Sequence, residues 1–63
     1  MPGNAEIIKN ALDDFKRVQE YMLIAKEENA SKTYMKLKKD YLSLKALLNV
    51  LGVNFTDIDE IKE

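Results

Sequence analysis

Tyr34, Leu37, Tyr41, Leu44, Leu48 and Leu51 recur at alternating spacings of three and four through KTYMKLKKDYLSLKALLNVLG, the a/d pattern that lines up on one side of an α-helix. An earlier set, Ile8, Ala11, Phe15, Val18, Met22 and Ala25, obeys the same rule. The two sets are out of phase. Continuing the first frame puts its next seam positions at Asn29 and Lys32, whereas the second restarts at Tyr34, five residues after Asn29. A slip of five is neither the four-residue nor the three-residue insertion that a coiled coil absorbs, so one continuous helix would carry its apolar stripe out of line.

The sequence therefore predicts an all-α antiparallel hairpin, with helices over about 5–28 and 32–51 and a turn at about 29–31, in a single small domain spanning 1–63. With the turn centred near 29–30, Phe15 falls opposite Leu44 and Val18 opposite Tyr41, while the small Ala11 and Ala25 face Leu48 and Tyr34. Asn4 and Ser31 are the expected N-caps, with Glu6 in the first turn. Gly52 offers a left-handed stop after the second helix, and Val53 supplies the apolar residue that packs back on its last turn. Beyond it, FTDIDEIKE predicts a short third helix over about 57–62. Thr56 would cap it, Asp59 would stand near the capping-box position, and Ile58 and Ile61 would face the open end of the hairpin near Ile8 and Leu51.

A chain of 63 residues buries a small fraction of its surface, and such chains usually need a staple. There is no Cys and no His, so disulfides, imidazole ligands and thiol or imidazole catalysis are excluded together. The pairs Asp13–Asp14 and Glu27–Glu28 are sequence neighbours, whose side chains leave a helix about 100° apart and do not converge as acid–base chemistry requires. The acids Asp57, Asp59, Glu60 and Glu63 lack the glycine and ligand spacing of a calcium loop. No enzyme activity, cofactor or metal is expected.

Association remains. Ile7, Leu12, Tyr21, Leu23, Ile24, Met35, Leu42, Leu47 and Val50 lie outside the seam and widen each apolar face. Leu12, Tyr21 and Leu47 read as flanks of a broad core stripe. Leu23, Ile24, Met35, Leu42 and Val50 are the candidate protein interface, and two hairpins packed as a four-helix bundle would cover them in a homodimer. Charge adds an alternative. Residues 32–53 carry five lysines against the single acid Asp40, although the whole chain has a net charge of −1. Lys32, Lys36 and Lys39 can share one outer face, as a stripe contacting phosphates would require. A solvated face is the commoner meaning of such a stripe, and the chain has one Arg and an acidic pI of about 5.4. The functional expectation is a self-associating, non-enzymatic interaction or regulatory module, with a nucleic-acid accessory protein as the alternative. The lack of Cys fits a reducing cytoplasm, the longest apolar run (Tyr21 to Ala25) is far too short to span a bilayer, and MPGNAEIIKN lacks a signal peptide's basic start, so a soluble cytoplasmic protein is expected.

Overall fold

The computed structural model describes residues 4–63, which form two helices, α1 (Asn4–Glu27) and α2 (Ser31–Val50), packed as an antiparallel hairpin, followed by a strap without helix, residues 53–63. All twelve seam side chains are buried or half-buried. Phe15, Met22, Tyr41 and Leu48 have no exposed surface, and Ala11, Val18 and Ala25 retain 3–6%. Phe15, expected across from Leu44, lays its ring on Tyr41, three residues back along α2, with centroids 5.4 Å apart and planes 11° from parallel. Such aromatic pairs add to the burial of their area.

Both helices end in the same motif. At the end of α2, Gly52 takes φ +75, its N–H donates to Asn49 O (3.1 Å), and the Val53 N–H donates to Leu48 O (2.9 Å). At the end of α1, Asn29 takes φ +59, its N–H donates to Lys26 O (3.2 Å), and the Ala30 N–H donates to Ala25 O (2.8 Å). Each pair of bonds satisfies two of the carbonyls that a helix end leaves without partners. Asn is the residue other than Gly that most readily tolerates the left-handed region. This explains a turn of only three residues, 28–30, with neither Gly nor Pro.

The tight turn also overturns Ser31 as a cap. Ala30 is the capping residue, and no side chain caps α2 there. Ala30 spends its N–H on the end of α1 while its carbonyl accepts the first α2 bond, from Tyr34 N–H (2.9 Å), so Ser31 is already inside the helix. The side chain of Asn4, expected to cap α1, lies outside the described residues.

The third helix expected over 57–62 does not form. Residues 56–58 make one turn, with Ile58 and Asp59 N–H both donating to Phe55 O (3.1 and 3.0 Å), and the chain then runs on without helix. Asn54 Oδ1 accepts from Thr56 N–H (3.1 Å), so Asn54, not Thr56, does the local capping. So short a helix has little stability of its own, and the amides of Glu60, Ile61 and Glu63 find better partners in side chains of the hairpin, Gln19 and Tyr41. Instead of covering the open end near Ile8 and Leu51, the strap turns back along the groove between the helices until Glu63 meets Tyr34 and Lys38.

Candidate interaction site

The strap groove is built around Gln19, a polar residue that keeps 2% of its surface. Its Oε1 accepts the N–H groups of Glu60 (2.6 Å) and Ile61 (3.2 Å), and its Nε2 donates to Ile58 O (2.9 Å) and, more weakly, to Phe15 O (3.4 Å). One carboxamide thus satisfies three backbone groups of the strap, which would otherwise be costly to cover. Val53, Phe55, Ile58 and Ile61 pack against the core beside it, and the Phe55 ring meets the Phe15 ring edge-on at 5.6 Å.

A charged cluster closes the other side. The Tyr41 hydroxyl donates to Asp59 Oδ1, Lys62 N–H donates to the same oxygen (2.9 Å), and Lys45 Nζ stands 3.2 Å from Asp59 Oδ2. Lys45 also donates to Glu63 O (2.7 Å) and lies over the Tyr41 and Phe55 rings at 5.1 and 5.7 Å from their centroids. Burial alone would raise the Asp59 pKa, but the Tyr41 hydroxyl, the Lys62 amide and the Lys45 ammonium outweigh it and hold the carboxyl below its ordinary range. Burial likewise acts to lower the Lys45 pKa, and its bonds to Asp59 and Tyr41 reverse the sign and raise it. At the far end Tyr34 donates to Glu63 Oε2 (3.1 Å), Lys38 lies 3.3 Å from the same oxygen, and Tyr41 Oη accepts the Glu63 N–H (3.2 Å). The Tyr34 pKa is raised by burial and then by the Glu63 carboxylate.

The opposite groove between the helices is open. It measures about 520 Å³, with Val18, Tyr21, Leu37, Leu44 and Leu47 as its apolar floor and walls and Asp14, Arg17 and Asp40 among its polar lining. A second hollow beside Tyr21, Ile24 and Leu37 follows it toward the turn. Tyr21 and Leu47, expected as flanks of the core, are instead 51% and 42% exposed, whereas Leu12 packs against the core as expected. The candidate interface residues are all exposed: Leu23 44%, Ile24 50%, Met35 65%, Leu42 45% and Val50 83%. They do not share one face. Leu23 and Ile24 leave α1 about 100° apart, Met35 and Leu42 fall within about 20° of each other, and Val50 is turned about 80° from Leu42. Lys32, Lys36 and Lys39 are exposed within an arc of about 60° of α2. The two ion pairs among the described residues use Lys38 and Lys45 and leave that stripe unpaired.

Gln19 and the Tyr41–Asp59–Lys45 cluster escape sequence reasoning. The one available signal for Gln19 is its place in the row Leu12, Phe15, Gln19, Leu23, a polar side chain within apolar spacing. Among the described residues, no helix is long and apolar enough to cross a membrane. Compared with family models, curated proteins and solved structures, the chain matches none.

Proposed function

We propose that this chain is a non-enzymatic protein–protein interaction module of the cytoplasm that acts by associating with itself, two hairpins packing as a four-helix bundle. The observation that carries this reading is the open groove opposite the strap. The molecule measures 41 × 21 × 15 Å, and a helix with its side chains is about 10–12 Å across, so the hairpin is one layer thick. A single layer has two broad sides. The strap covers one, and among the described residues none covers the other, where Tyr21, Ile24 and Leu47 stay exposed around an apolar floor. A second hairpin laid on that side supplies the missing layer. Val50, one turn beyond Leu47, extends the same contact, while Met35 and Leu42 form a separate apolar strip on α2 that is available to another protein.

Light scattering on a sizing column tests the reading. The expected mass is twice 7.3 kDa over a range of concentrations, falling to the single-chain value in Leu47→Glu with its helix content retained. A wild-type chain that stays at 7.3 kDa up to hundreds of micromolar, on the order of weak protein affinities, would refute self-association.

A second reading rests on the unpaired stripe of Lys32, Lys36 and Lys39, which a dimer would double into a surface for nucleic-acid phosphates. The strap draws Lys38 and Lys45 away from such a role. A mobility shift on generic DNA or RNA that weakens steeply with salt would support it, and no shift at low salt would remove it.

A further inference from the structure

We propose that the groove under the strap is a peptide-reading site, and that its alternative occupant is the strap of a second copy of this chain. This rests on the reading of the chain as a self-associating module and names a distinct surface for it.

Gln19 reads backbone. Two N–H groups and one carbonyl of the strap bond to its carboxamide, and none of these bonds depends on which side chains the strap carries. Selectivity comes from the flanks: apolar residues three apart at Phe55, Ile58 and Ile61, and a carboxylate at Asp59 received by Tyr41 and Lys45. Backbone bonds for affinity and spaced pockets for choice are the general logic of peptide recognition. The partner this groove fits is an acidic, apolar segment without helix, and the chain carries one such segment in residues 53–63.

The strap is attached like a ligand on a tether. It has no helix, and its bonds to the hairpin are made largely by side chains of α1 and α2. Its link to α2 passes through Gly52, which sits at φ +75 with nothing within 4 Å of where a Cβ would be. When the strap lifts, Phe15 loses the Phe55 ring and Tyr41 loses Asp59, and these two side chains, now without exposed surface, meet water. An opened chain therefore presents both an empty groove and a free strap, and two opened chains satisfy each other with the contacts already described, which is why exchange of identical elements is a low-cost route to dimers. The tether favours closure within one chain at an effective concentration on the order of millimolar, so exchange grows as protein concentration approaches that range.

The chain has no Cys, which permits a clean trap. Glu20 and Glu60 are both exposed, line one small hollow beside Gln19, and support neither the core nor the Asp59 cluster. Two full-length chains are prepared, Glu20→Cys and Glu60→Cys, and mixed at high concentration in a thiol redox buffer. A chain carrying both substitutions serves as control and forms the bridge internally. The expected result is a mixed disulfide between the two variants in excess over the random proportion of mixed and like pairs, and an excess that shrinks when Gln19→Met is added to both. Random proportions while the control closes would overturn strap exchange. Repeating the mixture in a Leu47→Glu background separates the two surfaces. Persistence of the mixed bridge there upholds exchange even if the helix-face dimer fails, and a doubled wild-type mass with no excess of mixed bridge removes exchange while leaving that dimer in place.

Discussion

Replacing Gln19 with Met isolates the contribution of one carboxamide, because Met has nearly the same length and flexibility and none of the hydrogen-bonding groups. Three strap groups would lose their partner: the N–H groups of Glu60 and Ile61 and the carbonyl of Ile58. At a net value of about 1 kcal/mol for each bond, the loss sums to about 2–4 kcal/mol. The strap can also leave the groove and return these groups to water, which limits the penalty to its own docking free energy. A domain of 63 residues has roughly 3–9 kcal/mol of stability in all, so the loss is a large part of the whole. Thermal unfolding followed by circular dichroism should show a midpoint lower by roughly 10–25 °C. The control is Glu20→Met, an exposed neighbour on the same helix, for which a change within about 0.5 kcal/mol is expected. If the two variants were indistinguishable, Gln19 would not hold the strap, and the peptide-reading role given to it would fail as well.

Acidification tests the Asp59 cluster. The folded pKa of Asp59 lies below its ordinary value of 3.8, so its contribution is present above that value and is lost as pH falls through the depressed folded value. Wild type should lose more stability than Asp59→Asn on titration from neutral pH into that acid window, and parallel curves would remove the cluster from the account. Gly52→Ala should cost about 1 kcal/mol through the backbone alone, since the space around Gly52 is open, and a much larger loss in urea unfolding would mean that packing has been overlooked.

The hairpin was legible because its determinants are local. Two heptad frames, their five-residue slip and Gly52 sufficed to place both helices to within a residue of their observed ends and to name twelve side chains that are all at least half-buried. The turn was legible in position but not in chemistry. Asn29 was free to act as a left-handed stop, yet only the phase slip marked it, and Ser31 was the more familiar capping residue. The strap was misread because its local signals favour a helix start, whereas its conformation is decided by partners far away in sequence: Gln19, Tyr41 and Lys45. Asp59 satisfies a capping pattern on paper and answers to α2 in the fold. The candidate interface residues lie outside the seam and are exposed, but periodicity alone did not reveal that a non-helical segment would claim one groove and leave its counterpart open.

The bonds from Gln19 to the strap close loops of 39, 41 and 42 residues, while the turn between α1 and α2 closes within a few. Contacts so distant along the chain bear their ordering cost most cheaply once both helices are paired, so the strap is predicted to dock after the folding transition state, with stopped-flow kinetics of Gln19→Met as the check. Interactions absent from that transition state leave the folding rate nearly unchanged and act on unfolding instead. On that prediction the hairpin sets how quickly this molecule forms, and the strap sets how long it lasts.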